Sequence, residues 1–172
     1  MTSDPTTADE TPTDAERIEV QRTIAADPAA VFRVLCDPEG HVAIDATGML
    51  MAATGSPVTA AGDTFVVHMD REALNDYPLG EYDVTVTITK LVPDQEIAWT
   101  ILGAIRPQIG HVYGYRVEPS GEGASIVTSY YDWSEIDPTW REAVIFPVIS
   151  EAALRATLGI LARTVARGWP QG

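Results

Sequence analysis

Between Glu81 and Val92 the chain reads EYDVTVTITKLV. Tyr82, Val84, Val86 and Ile88 alternate with Asp83, Thr85, Thr87 and Thr89, a period of two that fits a strand with one dry and one wet face. Such a strand needs neighbours on both edges and a cover for its apolar face. The sequence around it offers both. RIEVQRTI sets Ile18, Val20 and Ile24 against Arg17, Glu19, Gln21 and Thr23, with Arg22 interrupting the apolar side. GMLMAAT is a weaker strand. DTFVVHMD puts Phe65, Val67 and Met69 on one face and His68 on the other, beside Thr64 and Val66. EIAWTIL groups Ile97, Trp99 and Ile101. GHVYGYRVEP groups His111, Tyr113, Tyr115 and Val117, and SIVTSYYD is the last strand. Short turns such as Pro93-Asp94 and SGEGAS join these runs, which suits antiparallel neighbours.

Helices flank the strands. Asp27 precedes Pro28 at a helix start, and PAAVFRVLC places Val31, Phe32, Leu35 and Cys36 together. Asp37-Pro38 ends that helix, and EGHVAID is a second short one. Asp137 and Pro138 open the C-terminal helical region, where Pro147 kinks or breaks the helix and Ser150 restarts it. In SEAALRATLGILARTVARG, Leu154, Leu158, Leu161 and Val165 form an apolar stripe. Glu151, Arg155, Arg163 and Arg167 share another face, and Gly168 is the stop. The order predicts an α+β domain: a curved antiparallel sheet of about six to seven strands around a long C-terminal helix, with one or two short helices after the first strand.

At 172 residues the chain is one domain long, with 17–172 as its folded part. A domain near this size buries roughly 68–70% of its unfolded surface, enough for a full core with an internal cavity. Residues 1–16, MTSDPTTADETPTDAE, hold five acids, no base and no large apolar residue except Met1, the composition of a disordered tail. The net charge of −14 repels a phosphate backbone, so nucleic acid is excluded as a partner, and anionic membrane surfaces are disfavoured. Cys36 is the only cysteine, and no apolar run approaches the ~18 residues of a membrane span. The N-terminal sequence has neither the basic nor the apolar region of a signal peptide. These features point to the cytoplasm. Phosphate-cradling glycine motifs, GxSxG and HExxH are absent, which disfavours covalent and nucleotide-dependent catalysis and leaves no expected cofactor.

Three stretches carry a resemblance: IAADPAAVFRVLCDPEGHVAID, VPDQEIAW and GYRVEPSGEGASIVTSYYDWS. In this order, over roughly Arg17 to Arg167, they resemble the START-like, SRPBCC-type superfamily, specifically its polyketide cyclase/dehydrase and lipid-transport branch. The resemblance implies a helix-grip fold over a deep pocket. It also implies hydrophobic small-molecule ligands such as lipids, sterols or polyketides. Some members catalyse cyclisation, aromatisation or dehydration, while others are carriers or partner-binding modules. Pro147 departs from an uninterrupted grip helix and is expected to reshape the pocket mouth.

Candidate site residues follow from strand parity. Arg116 and Glu118 face water, so His111, Tyr113 and Tyr115 face inward with Val117. Aromatic bodies with polar tips suit an apolar pocket that orients its ligand with few hydrogen bonds, and histidine is readily tuned for proton transfer. His111 and Tyr113 are therefore the candidate catalytic groups; the alternative is tyrosines whose hydroxyls reach only solvent or backbone. Trp99, Tyr131, Phe65, Met69, Leu154 and Leu158 are further candidate ligand contacts, with core packing as the alternative role. In SYYDWS, Tyr131 and Trp133 share one face, Tyr130 and Asp132 the other. Trp133 is expected to pack, and Asp132 to pair with an arginine or cap the next turn. His41 and Asp45, four apart, lack the third ligand a metal site needs, so a hydrogen-bonded or exposed histidine is expected instead and no metal. Cys36 is expected to be a small buried apolar residue.

Three functions are consistent with this pattern. The first is binding of a hydrophobic small molecule in an internal cavity, by a monomer or weak homodimer. The second is a polyketide cyclase, aromatase or dehydratase working through pocket His and Tyr. The third is a partner-binding module that docks a basic protein without a ligand.

Overall fold

The structure is a computed structural model, and it describes residues 16–75 and 78–170. The expected tail at 1–16 lies outside the described residues except for Glu16. That residue is already engaged: its carboxylate pairs with Arg141 and its carbonyl accepts from Trp133 N–H at 3.0 Å.

Every strand forms where the alternation places it. They are β1 (Arg17–Ile24), β2 (Leu50–Thr54), β3 (Thr64–Asp70), β4 (Glu81–Val92), β5 (Glu96–Leu102), β6 (Val112–Pro119) and β7 (Ser125–Asp132). They make one seven-stranded sheet in the order β1-β7-β6-β5-β4-β3-β2, antiparallel at every pairing. Helices α1 (Pro28–Cys36) and α2 (Pro38–Ile44) follow β1, and α3 (Pro138–Arg141) and α4 (Glu151–Arg167) follow β7. This is the helix-grip arrangement: α4 lies against β1 and β7 and touches α1 and α2, while α2 also reaches β2 and β3.

The dry face is that of the parity argument. Phe65, Val67, Met69, Val84, Val86, Ile88, Ile97 and Trp99 join Leu154, Leu158 and Leu161 of α4 in one buried cluster. Helices α1 and α2 meet at very close range, because a Cβ on Gly40 would lie 2.0 Å from the Val34 carbonyl oxygen. Only glycine fits there.

Two local expectations shift. Asp27 stands at the N-cap of α1 but its side chain makes no capping bond, whereas Asp37 and Ser150 do cap α2 and α4. Thr164, not Val165, is the buried residue in the last turns of α4; its hydroxyl is satisfied by the Ile160 carbonyl at 2.8 Å. The break expected around Pro147 is present: α3 already stops at Arg141, and α4 begins afresh at Glu151 with Ser150 as its cap.

The wet face carries its own ladder. Tyr130 and Gly114 are cross-strand partners, and the Tyr130 ring lies over the glycine so closely that a Cβ there would stand 2.2 Å from Cζ. Arg17 and Arg116 stack on the ring at 4.1 and 5.5 Å, and its hydroxyl donates to Glu96 at 2.9 Å. Asp132 pairs with Arg17 and accepts from Ser134, the arginine partner and turn cap anticipated for it. His68 sits on this face too, against Asp83 and Glu81.

Candidate functional site

The inward aromatic residues of β5, β6 and β7 meet in one continuous ring cluster. Trp99 stacks on Tyr113 (centroids 6.0 Å apart, planes 11° apart) and on Tyr115 (5.9 Å, 27°). Tyr113 leans on Tyr131 at 4.8 Å, and Tyr131 stacks on Trp133 at 5.5 Å. Strand register causes this: Trp99 is directly opposite Tyr113, which is directly opposite Tyr131. Three neighbouring strands thus place one large aromatic each at the same level of the sheet.

His111 closes the series. Its ring stands edge-on to Tyr113, Tyr131 and Phe146, and Nδ1 lies 2.8 Å from the Tyr131 hydroxyl. Its carbonyl accepts from Thr100 Oγ1 at 2.8 Å, which fixes the backbone at the strand entry. Burial pulls the His111 pKa down to about 4, so the imidazole is neutral near pH 7. Burial, with Tyr113 beside it, pushes the Tyr131 hydroxyl well above the ordinary phenol range, so Tyr131 keeps its proton. In the tautomer where the Tyr131 hydroxyl donates to Nδ1, the neutral His111 ring carries its proton on Nε2 and can donate a hydrogen bond from there.

The sites expected from sequence come together unequally. Trp99, His111, Tyr113, Tyr115 and Tyr131 form the cluster itself. Phe65 joins through His41, whose ring is edge-on to both Phe65 (5.0 Å) and Trp99 (4.7 Å). Met69, Leu154 and Leu158 are buried in the wider core and make none of these ring contacts. Burial raises the Tyr113 and Tyr115 hydroxyls as it does Tyr131, so none of the three is poised as a base near neutrality.

Two residues escaped the sequence argument. Of the two roles expected for His41, hydrogen-bonded or exposed, it takes the first, but buried at 7% exposure and against the ring cluster, which was not expected. Its Nε2 contacts the Leu35 carbonyl at 2.8 Å, and burial lowers its pKa to about 4. Asp45 is the C-cap of α2 and accepts from Thr47 and Leu50, so the two do not act together. Phe146, in the connection between α3 and α4, covers His111; an apolar run beside a proline was its only signal. Phe146, Tyr113 and Trp140 are half-buried and mark where the cluster nears the surface. Trp140 ties α3, which leads into this connection, to the β5–β6 loop by donating to the Pro107 carbonyl at 2.8 Å.

The rings lie side by side along the inner face of the sheet, from β5 across β6 to β7. Two surface depressions lie elsewhere. One, of about 680 Å³, is beside the β4–β5 turn and the end of β6, and another, of about 390 Å³, lies between α2 and the end of α4. Cys36 is partly buried, and desolvation, helped by the charge of Asp94, lifts its thiol to about 11, which makes it unreactive.

A curved antiparallel sheet gripping a terminal helix over an aromatic interior defines an SRPBCC-type, START-like protein. The chain belongs to the polyketide cyclase / dehydrase and lipid transport family, which matches it over residues 15–166. Solved structures with the same fold include protein CV1439 from Chromobacterium violaceum: 16% identity, 87% of this chain and 96% of that one, TM-score 0.59. Norcoclaurine synthase from Thalictrum flavum, in complex with dopamine and hydroxybenzaldehyde, is 13% identical over 91% of this chain and 89% of that one, with a TM-score of 0.62. The Aha1 dimer from Colwellia psychrerythraea is 16% identical over 91% and 98%, with a TM-score of 0.54. At these identities the likeness is one of fold. None of the curated proteins compared with the chain matches it. No described helix is long and apolar enough to cross a membrane.

Proposed function

We propose that residues 17–172 act as one domain that binds a hydrophobic small molecule, seated against Trp99, Tyr113 and Tyr131 beneath the α3–α4 connection. The observation that carries this reading is the ring cluster with a single polar pair, His111 and Tyr131, near its half-exposed end. Flat apolar walls supply affinity through buried area, about 25 cal/mol per Å² before association costs, and one donor orients the ligand. His111 Nε2–H would meet a carbonyl or hydroxyl oxygen. The family's description, which includes lipid transport, supports an apolar ligand. A cytoplasmic setting fits the lone, unpaired Cys36.

A second reading is favoured by the His111–Tyr131 contact itself, which resembles the proton-handling pairs of enzymes. With its pKa near 4, His111 is a weak base at neutral pH, so any turnover would rest on positioning and on hydrogen-bond donation to an enolate or carbonyl oxygen.

Native mass spectrometry of the purified protein, with extraction of any co-purified compound, tests the first reading, alongside titration with the neutral dye Nile red. Saturable one-to-one binding that Trp99→Ala weakens is the expected result. A dye that does not bind, together with no co-purified compound, would overturn it.

A further inference from the structure

Five of the nine large apolar side chains left exposed among the described residues gather at one end of the sheet: Leu102, Ile105, Val144, Ile145 and Val148. They belong to the end of β5 with the loop that follows, and to the α3–α4 connection. The β5–β6 loop is bonded to α3, which leads directly into that connection, through Trp140 Nε1–H to the Pro107 carbonyl and Asp137 N–H to the Ile109 carbonyl at 2.9 Å. The same connection supplies Phe146, which covers His111, so this rim surrounds the approach to the ring cluster.

Two features argue that the rim meets something apolar. Val144 is 88% exposed and adopts φ 53°, a left-handed conformation that strongly disfavours a β-branched residue. Backbone and solvent would both prefer Asn or Gly there, and no packing within the chain compensates. Charge is the second feature. Residues 103–110 and 142–149 contain only Arg106 and Glu142, a net charge of zero in a chain of net charge −14. The rim is thus a neutral window in an acidic surface.

A second copy of the chain is a poor occupant. Five aliphatic side chains expose a few hundred Å², short of the roughly 800 Å² per partner of a stable interface, and two acidic surfaces repel. Shallow insertion into a lipid interface needs no such area. We propose that this rim docks onto neutral, zwitterionic lipid surfaces, with Val144 and Ile145 inserting, so that an apolar ligand passes between bilayer and ring cluster without crossing water. The proposal rests on the ligand-binding reading for its cargo but not for the docking itself. The remaining acidic surface sets a preference: anionic lipid weakens docking, and salt relieves the effect.

Flotation of the full chain with phosphatidylcholine vesicles, and with vesicles of phosphatidylcholine and phosphatidylglycerol in equal parts, tests this. The protein floats with the former and less with the latter at low salt. The double substitution Val144→Asp and Ile145→Asp lowers the bound fraction roughly tenfold or more. It leaves circular dichroism and vesicle-free Nile red binding unchanged, since aspartate tolerates the left-handed backbone better than valine. The proposal is overturned if wild type ignores phosphatidylcholine, if the variant floats equally well, or if anionic vesicles bind better. It is also overturned if sedimentation equilibrium finds a dimer that the double variant dissolves. Vesicle binding lost in the variant, in a protein that takes up no Nile red, would keep the docking and remove the ring cluster as the ligand site.

Discussion

Two of the three histidines are buried and neutral, and this makes acid lability a direct consequence of the interior. Burial lowers His41 and His111 from 6.5 to about 4. Both folded values lie below the unfolded one, so between them the unfolded chain holds more protons. Their contribution is complete above about pH 6.5 and is lost as pH falls toward 4. At pH 5 each loses about 2 kcal/mol, about 4 kcal/mol together, against a typical domain stability of ~5–15 kcal/mol. The slope approaches about 1.4 kcal/mol per pH unit for each histidine in mid-window. His68, the third, has the opposite sign: hydrogen bonds to Asp83 and Glu81 raise it, so its contribution is present at low pH and fades as pH rises. It is an exposed surface group and only slightly offsets the buried pair. Carboxylates titrate mainly below about pH 4.5, which leaves pH 5 to 6.5 to the histidines. Urea unfolding at intervals from pH 7.5 to 5 measures the slope, and His41→Gln and His111→Gln should each remove about half of it whatever they cost at pH 7.5. A stability that stays flat over this range, or a slope that survives both substitutions, would refute the claim that these rings are buried uncharged.

The wet face yields a second expectation. Gly114→Ala forces Tyr130 off its seat and costs about 2–3 kcal/mol, while the same change in a Tyr130→Ala background costs much less; urea midpoints of the four proteins measure the coupling. Tyr131→Phe keeps the ring stack but leaves the buried His111 Nδ1 without its partner, a loss of about 1–3 kcal/mol by the same assay; an unchanged midpoint would mean the contact contributes nothing.

How much of this was legible beforehand depends on periodicity. Most strands and the inward set of β6 follow from alternation, because one face is dry and register cannot slip without turning that face outward; β2, which buries no residue fully, and β7, buried on both faces, carry no such period. The opening of the site was not legible. Phe146 lies in a connection with no period, and nothing in VIFPVI says that Phe146 and Ile149 turn in while the other four stay out. His41 was missed for a related reason. In a seven-residue helix the apolar face is too short to locate, and its burial follows from Gly40 drawing α2 onto α1. Volume is a harder matter still. Parity assigns faces, but whether facing rings leave a cavity or touch depends on separations of an ångström or two.

Under the proposed function, Phe146, edge-on to His111, is the part of the cluster that a ligand must displace. Phe146 is half-buried, so withdrawing it gives up about half the 150–250 Å² an aromatic side chain can bury, about 2–3 kcal/mol. Association itself costs at least about 4 kcal/mol. A ligand must bury about 250 Å² of apolar surface before these terms are offset, more than a single phenyl ring provides. A site of this kind would therefore select by size: small aromatics would merely compete with Phe146 for its place, whereas fused-ring or long-acyl molecules would gain enough area to displace it. Such ligands are also poorly soluble in water, which is why an apolar, uncharged rim around the approach belongs to the same physical problem as the rings beneath it.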